Sequence, residues 1–369
     1  MSIRTILLTG ARAPVTLDLA RSFYRLGCRV ICVDSLRRTI CSYSKCVDRY
    51  YLVCSPAQNL EGFLDDLEKV ISDEKVELLI PTCEEALYVA KIKDRLSCEV
   101  FSSSFEIVES LHNKWTFYQM TEKWSPKTQL LKDKKLKPPY VVKQVYSRFA
   151  AYAEVIREER AIEDDQKNPK IAQAFVEGES YCSYAVALNG KVRAHSIYKV
   201  LHSIGMGASM SSLSVDDLEI TRFVTEFVEK INYTGQISFD FIRSKERLYV
   251  IECNPRATSG IHLFECSPGL AKAFLEKSYL MGTIGKIYHE PITMLLYGFK
   301  QKEIFKKRFL KNILMGKNVL FQAFDFGPLF FLPLVLFEIF KLTLTRGKKL
   351  NEVLSEDLEY NGEDSCVLL

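Results

Sequence analysis

Apolar residues recur over the first third of the chain with the spacing of alternating strands and helices. Residues 3–9 form an apolar run, residues 15–26 carry apolar side chains on one helical face, and residues 30–33 form a second run. The same alternation then repeats once more. Successive units of strand, helix and strand build a parallel sheet. The pattern therefore predicts a small parallel α/β domain, which we place at residues 1–108.

The middle of the chain alternates short strands, tight turns and helices. Residues 181–200 form two strand-like runs around Asn189-Gly190, a dipeptide typical of a type I′ hairpin turn. Residues 152–160 predict one helix, and residues 216–231 predict a longer amphipathic one. Such a mixture is typical of an α+β fold.

Two strands near residue 240 carry the most informative polar side chains. Asp240 stands between phenylalanines, and Glu252 and Asn254 come two positions apart, so both point to one face of a strand. Two carboxylates and an amide oxygen form a hard oxygen site that suits Mg²⁺. Arg256 adds a fixed cation two residues further on. The alternative interpretation is a surface hairpin whose charges are solvated.

Other polar residues lie beside apolar runs. Lys143 falls inside the strand predicted at residues 140–144, where burial is costly without an anionic partner. Glu84 and Glu85 follow a buried strand and are either ligands at the sheet edge or acids that match a helix dipole. Gly10 stands where a dinucleotide-binding fold has its first fingerprint glycine, but the second and third glycines are missing. We therefore reject a dinucleotide cofactor at this position.

Composition narrows the class of protein. The chain has 369 residues, 47% hydrophobic and 26% charged, with a formal net charge of +4, which is ordinary for a soluble globular protein. The small charge argues weakly for anionic ligands, and we expect no nucleic-acid partner. Eleven cysteines without a C-x-x-C pair predict reduced thiols in a cytoplasmic protein. The N-terminal apolar run is too short for a signal peptide.

Residues 286–369 predict a mainly helical extension of different composition. Residues 299–322 place seven basic residues among apolar ones, which indicates either a membrane-surface helix or a helix packed on the core. Residues 326–337 are very apolar but too short to span a bilayer, so they are either buried or interfacial. The last four residues, from Cys366, fit a C-a-a-X prenylation signal, a match that also arises by chance. Prenylation would place the protein peripherally on a membrane.

Taken in order, these motifs resemble the ATP-grasp superfamily, and most closely its carbamoyl-phosphate-synthase-like branch. The resemblance rests mainly on an acid, here Asp240, followed twelve positions later by the motif Glu-x-Asn-x-Arg, here Glu252 to Arg256. The resemblance covers residues 1–285 and implies ATP as a cosubstrate with Mg²⁺, or alternatively Mn²⁺. It implies an ATP-grasp domain at residues 109–285 that follows the small parallel α/β domain. That domain would consist of two subdomains, with a hinge near residues 173–179.

The resemblance also assigns roles to single residues. The metal would be held by Asp240, Glu252 and Asn254, while Arg256 would face the transferred phosphoryl group. Lys143 counts as both a catalytic residue and an ATP ligand. ATP would be contacted by Lys114, Lys143, Ser147, Arg148, Gln173, Ala174, Phe175, Val176 and Glu179.

Within that set, Lys114 and Lys143 would bind phosphates, the backbone of Ala174 and Val176 would bond the adenine edge, and Phe175 would wall the base. Glu179 would hold the ribose hydroxyls, and Gln173 stands where the family has an acid that contacts the adenine amine. The alternatives are a solvated helix lysine for Lys114 and a turn acid for Glu179.

One stretch departs from the family pattern. The lid over the phosphates is usually rich in glycine, whereas residues 145–151 contain none. Ser147 and Arg148 would replace backbone donors with a hydroxyl and a guanidinium. A loop at residues 201–215 is expected to act as a substrate lid, with His202 either a general base or a satisfied loop residue. The resemblance places the acceptor substrate near residues 258–262.

The resemblance implies an ATP-dependent carboxylate–amine ligase that acts through an acyl phosphate on unidentified small molecules. The first alternative is a membrane-attached ATP-binding protein with little turnover, which the glycine-free lid motivates. The second is a kinase-like enzyme that forms an acyl phosphate without capturing an amine. Membrane contact would come from the basic helix and a lipid on Cys366.

Overall fold

The computed structural model describes most of the chain, namely residues 4–133, 135–147, 153–164, 168–203, 209–290, 316–348 and 350–362. Three sheets form within this part of the chain. Arg148, residues 299–315 of the basic segment and Cys366 all lie outside the described residues.

The first sheet has five parallel strands in the order β3-β2-β1-β4-β5. Its elements are β1 (Thr5–Leu8), α1 (Pro14–Leu26), β2 (Arg29–Asp34), β3 (Arg49–Leu52), α2 (Leu60–Glu74), β4 (Leu78–Ile80), α3 (Glu85–Ile92) and β5 (Glu99–Val100). Gly27 ends α1 in the left-handed conformation, at φ 89°. On one face Leu8 packs with Phe23, and on the other Leu7 packs with Leu67. The predicted parallel α/β domain is confirmed.

The second sheet is small and antiparallel, with the order β6-β9-β7-β8. Two helices precede it, α4 (Phe105–His112) and α5 (Lys114–Thr121). Its strands are β6 (Thr128–Leu130), β7 (Tyr140–Gln144), β8 (Glu154–Ile156) and β9 (Lys170–Ala174). The helix predicted at residues 152–160 is wrong, because residues 154–156 pair with β7 instead. Ile156 is buried beside Tyr140 in this pairing, and that contact outweighs the local preference for a helix.

The third sheet has eight strands, seven of them in the order β14-β13-β10-β11-β12-β16-β17, with β15 paired to β11. Its elements are β10 (Glu179–Leu188), β11 (Lys191–Ser203), β12 (Ser209–Val215), α6 (Leu218–Lys230), β13 (Gly235–Arg243), β14 (Leu248–Asn254), α7 (Pro268–Leu275), β15 (Leu280–Met281), β16 (Ile287–His289) and β17 (Lys317–Asn318).

Two local predictions have different outcomes in this sheet. Asn189 and Gly190 have φ angles of 50° and 71°, as a type I′ turn requires, so the predicted hairpin is confirmed. The lid predicted at residues 201–215 is wrong for its described part, because its serines lie on β12 and pair with β11. Ser211, Ser212 and Ser214 are buried in this strand, and the ladder satisfies the backbone that a loop would expose.

The C-terminal extension is helical, as predicted, and contains α8 (Gly327–Phe330), α9 (Leu332–Arg346) and α10 (Leu350–Val353). Several side chains of residues 326–337 are exposed, which excludes full burial of that segment. Among the described residues, no helix is long and apolar enough to cross a membrane. Strands β16 and β17 lie beyond residue 285 yet continue the third sheet, so the boundaries at residues 108 and 285 stay predictions.

Candidate functional site

The hairpin of β13 and β14 gathers the acidic residues of the site. Asp240 lies directly opposite Glu252, and Asn254 follows two positions later on the same strand. Phe239 points to the other face of the sheet, where its ring lies 5.3 Å from that of Phe223 on α6. Because strand side chains alternate, this packing turns Asp240 towards the opposite face. The structure thus brings together the three predicted metal ligands.

The electrostatics of this hairpin favour a bound cation. Burial and the charge of Glu252 raise the pKa of Asp240 to about 6, although Arg256 and Lys143 act in the opposite direction. Asn254 Nδ2 donates to Asp240 Oδ2 at 3.4 Å. A divalent ion would relieve the repulsion between the two carboxylates, so the donor set fits Mg²⁺. Within the described residues, no group of three or more His, Cys, Asp or Glu side chains could hold a metal ion. A metal bound by Asp240 and Glu252 would therefore take its other ligands from Asn254 and from a bound molecule.

Arg256 connects this hairpin to the first sheet. Its Nε donates to Glu84 Oε1 at 2.8 Å, and its Nη2 donates to Asn254 Oδ1 at 3.3 Å. Burial alone would lower the pKa of Arg256, but the charge and hydrogen bond of Glu84 outweigh it and raise the pKa. Glu84 precedes α3 at the carboxyl end of β4, so a residue of the first domain holds the cation of the site.

Lys114 joins the hairpin to the loop that follows β7. Asn113 caps α5 by accepting from two backbone N–H groups, which fixes Lys114 as the first helical residue. Lys114 Nζ lies 3.3 Å from Glu252 Oε1 and donates to the carbonyl oxygen of Ser147 at 2.7 Å. Lys114 is therefore a buried, paired cation, and the alternative of a solvated helix lysine is wrong.

Lys143 is buried on β7, and its partner is a neutral side chain. Lys143 Nζ donates to Gln173 Oε1 at 3.0 Å, and Gln173 Nε2 in turn donates to Thr128 Oγ1 at 3.2 Å. Burial lowers the pKa of Lys143, since the nearby carboxylates only partly compensate. The side chain of Gln173 is thus engaged with Lys143, whereas the resemblance places it on the adenine amine.

The turn between β9 and β10 contains the remaining candidates. The Ala174 N–H donates to the carbonyl oxygen of Lys127 at 2.8 Å. Only the carbonyl oxygen of the Ala174 backbone would therefore be available to contact adenine. The half-buried ring of Phe175 lies under the guanidinium of Arg157, whose Cζ is 5.6 Å from the centroid of the ring. Val176 follows in the turn. A Cβ at Gly178 would overlap the carbonyl oxygen of Arg243, which explains the glycine.

Glu179 and the loop residues lie away from the acidic hairpin or make other contacts. Glu179 begins β10, and its exposed carboxylate pairs with Lys199 Nζ at 2.5 Å. Ser147 Oγ donates to the carbonyl oxygen of Gln144 at 3.3 Å. His202 lies on β11 opposite Ser211. None of these three contacts brings the side chain to Asp240 or Glu252.

The segment expected to hold an acceptor substrate divides between two environments. Thr258 Oγ1 lies 2.9 Å from Ser238 Oγ, on the face of β13 that also carries Asp240. His262 is buried, and its Nδ1 lies 2.6 Å from Asp18 Oδ2 on α1. Thr258 therefore borders the acidic hairpin, whereas His262 contacts the first domain.

Sequence reasoning missed two residues of this site. The sequence allows two interpretations of Glu84, and only the fold shows that it holds Arg256, 172 positions away. Cys182 lies directly opposite Asp240 on β10, where burial raises the pKa of its thiol well above the usual value. A cysteine in a strand run carries no signal of such a neighbour.

Comparisons with known proteins show what this part of the chain is similar to. Residues 111–260 match the profile of the ATP-grasp domain family. The carbamoyl phosphate synthase large chain of Clostridium botulinum (strain Kyoto / Type A2) is 22% identical over 267 residues, which is 64% of this chain and 24% of that protein. The chain thus spans about a quarter of the length of that relative.

Two solved structures share the fold. The L-amino acid ligase from Bacillus licheniformis has a TM-score of 0.55 and 17% identity, and the match covers 70% of this chain and 68% of that one. The biotin carboxylase domain of the Hydrogenobacter thermophilus 2-oxoglutarate carboxylase, in complex with MgADP, ADP and bicarbonate, has a TM-score of 0.60 and 13% identity, with coverage of 78% and 74%.

The matched residues indicate the class of protein that this chain resembles. Residues 111–260 match the ATP-grasp domain family, as the motifs predict. The similarity of the chain to a carbamoyl phosphate synthase large chain also agrees with the predicted branch.

Proposed function

We propose that this protein is an ATP-dependent carboxylate–amine ligase that forms a C–N bond and converts ATP to ADP. The observation that carries the proposal is the contact of Lys114 with both Glu252 and the Ser147 carbonyl. That contact joins the acidic hairpin to the loop after β7, so one ligand with phosphates and a metal ion would bridge the same two elements. The amino acid ligase with the same fold makes a related activity plausible.

Each residue of the cluster has a role in this reaction. Asp240, Glu252 and Asn254 would hold Mg²⁺, or Mn²⁺, which when bound neutralises phosphate charge. Lys114 and Lys143 bind phosphate oxygens, and these would replace their present partners. Burial favours this exchange, because phosphate oxygens supply the counter-charge that Lys143 lacks.

The reaction itself needs two displacements. A carboxylate oxygen of the substrate attacks the γ-phosphorus, the bond to ADP breaks, and an acyl phosphate forms. An amine nitrogen then attacks the acyl carbon, phosphate leaves, and the amine loses a proton. Arg256 stabilises the negative charge of the transferring phosphoryl group, and Glu84 keeps its guanidinium in place.

The nucleoside would occupy the turn after β9. The Ala174 carbonyl and the Val176 N–H would bond the adenine edge, and Phe175 would wall the base. Gln173 would release Lys143 to the phosphates and turn to the adenine amine. Glu179 would bind the ribose only after releasing Lys199, with which it now pairs. Ser147 and Arg148 are proposed to cover the phosphates in place of glycine N–H groups.

A second candidate is an ATP-binding protein with little turnover. Residues 145–151 contain no glycine, and Val145 and Tyr146 at the start of this loop are buried. Buried side chains restrict a loop that must close over phosphates. A kinase-like reaction without amine capture is the third candidate, and trapping with hydroxylamine would reveal its acyl phosphate.

Calorimetry with MgATP, followed by ADP release with pooled amino acids, tests the proposal. We expect binding and release, and a loss of at least about 100-fold in ADP formation for Glu252→Gln. Glu219→Gln on α6 is the matched surface control and should retain full activity. Turnover of Glu252→Gln at the wild-type rate would contradict the site, whereas tight binding without ADP release under any acceptor would favour the second candidate.

Location and partners follow from the same proposal. The substrates would be a small carboxylate and a small amine, without nucleic acid, in the cytoplasm. The ten cysteines within the described residues are all free thiols, in line with a reducing compartment. Prenylation of Cys366 would add a peripheral membrane location.

A further inference from the structure

Helix α9 presents a row of large apolar side chains to solvent. Phe337, Phe340 and Leu344 are 61%, 58% and 66% exposed, and they recur at spacings of three and four residues along one helical face. Further apolar side chains are exposed just before the helix and in its first turns, namely those of Phe326, Phe330, Phe331, Leu334 and Leu336. Contiguous apolar surface of this kind marks an interaction site.

The opposite face of α9 fixes the helix to the protein. Val335 is buried, and Leu332 and Ile339 pack against the same core cluster as the strands of the first sheet. At the start of the helix, the rings of Phe331 and Tyr43 stack with centroids 4.7 Å apart. The exposed row therefore belongs to an anchored helix, and its outward orientation is set by packing on the inner face.

Cations border the exposed row. Lys341 lies on α9 between Phe340 and Leu344, and Arg346 and Lys348 follow at the C-terminal end of the helix. Glu356 pairs with both Arg346 and Lys348. Its single charge balances one of these two cations, so the border stays positive. Glu338, the one acid of α9, is half-buried.

A lipid surface fits this combination better than a protein partner. The exposed row of phenylalanine and leucine offers no side-chain hydrogen bond to direct a protein partner, whereas acyl chains require none. Fifteen residues make a helix of roughly 22 Å, long enough to lie along an interface. Lys45, exposed two residues beyond Tyr43, adds another cation beside the helix. Anionic headgroups would complement this border.

We propose that α9 docks the protein onto an anionic lipid surface. The row of Phe337, Phe340 and Leu344 enters the acyl boundary, and Lys341, Arg346 and Lys348 meet the headgroups. This site differs from the basic segment and the Cys366 lipid expected from the sequence, and it does not depend on the proposed ligase reaction.

Co-sedimentation of the full chain with vesicles tests the proposal. Every variant carries Cys366→Ser, so that no lipid modification contributes. We expect binding to vesicles of phosphatidylserine and phosphatidylcholine, weaker binding to phosphatidylcholine alone, and a further decrease at high salt. Phe337→Ser with Phe340→Ser should weaken binding at least about tenfold, and Lys341→Glu should weaken binding only to the anionic vesicles.

Leu218→Ser is the matched control, because Leu218 is 81% exposed on α6 and away from α9. It should bind vesicles like the parent, and circular dichroism should show that all variants are folded. Failure of the parent to bind anionic vesicles would overturn the proposal. Light scattering that shows a dimer, lost in the double variant, would identify a second copy as the partner and would equally overturn it.

Discussion

Arg12 and Asp357 lie 345 positions apart in the sequence, yet they form a bidentate ion pair in which Nη1 and Nη2 each donate to a carboxylate oxygen at 2.7 Å. Arg12 also pairs with Asp34 at the carboxyl end of β2. The residues after α10 therefore close over the edge of the first sheet, where open α/β sheets bind ligands. Tyr360 continues this contact by packing edge-on against Tyr146 in the loop after β7.

Removing the carboxylate of Asp357 should destabilise the protein. Asp357→Ala leaves Arg12 paired with Asp34 alone, and we expect a loss of about 1–3 kcal/mol in the free energy of unfolding. Urea denaturation monitored by circular dichroism measures it. The control is Asp48→Ala, which breaks an exposed ion pair with Arg29 and should cost less than about 1 kcal/mol. Equal losses of unfolding free energy in the two variants would show that the ion pair of Arg12 and Asp357 contributes no more than a surface pair.

Stability and ligand binding should separate at Lys143. Lys143→Met removes a buried cation whose charged form burial disfavours, so the free energy of unfolding should stay within about 1 kcal/mol or increase. Loss of a charge-assisted phosphate contact should weaken ATP binding by roughly 10- to 150-fold. Thermal melts with and without MgATP give both quantities. If MgATP raises the Tm of this variant as much as that of the parent protein, Lys143 does not bind ATP.

Lys191→Met serves as the control for this variant. Lys191 is exposed at the start of β11, so the same substitution there changes neither a buried charge nor the phosphate site. Its melting temperature should respond to MgATP like that of the parent protein.

Acid should weaken the protein through Glu265. Partial burial acts against it, but hydrogen bonds from Lys286, Lys317 and Tyr288 lower the pKa of Glu265 to about 2. Because the folded pKa lies below the unfolded value of about 4.3, the stabilisation is complete above that value and declines as the pH falls towards 2.

Glu265→Gln isolates this effect. The free energy of unfolding should be lower than in the parent protein at pH 7, and the difference should shrink progressively below about pH 4. Urea titrations at several pH values measure the difference. A constant difference from pH 7 to pH 3 would mean that the carboxylate charge of Glu265 contributes nothing.

The predictable parts of this protein are those that depend on local periodicity. The alternation around Asp240 sets which side chains share a face, and Asn189-Gly190 sets the turn of the neighbouring hairpin. The short spacing of Glu252, Asn254 and Arg256 then places three site residues in one strand and its continuation.

The parts that were not predicted depend on distant partners. Residues 154–156 form an edge strand because β7 offers a pairing partner and a buried position for Ile156. Gln173 contacts Lys143 because β7 and β9 are neighbours in the second sheet. Glu84 meets Arg256 only when two sheets come together. No window of local sequence contains these partners.

The closure of the first sheet by residues after α10 also fixes an order of events during synthesis. Translation at 5–20 residues per second separates Arg12 from its partner 345 positions later by roughly 20 to 70 s. Until Tyr360 has been made, Tyr88 and Phe105 lack its ring, against which both pack edge-on. The aromatic contacts at this edge therefore form only after nearly the whole chain has been synthesised.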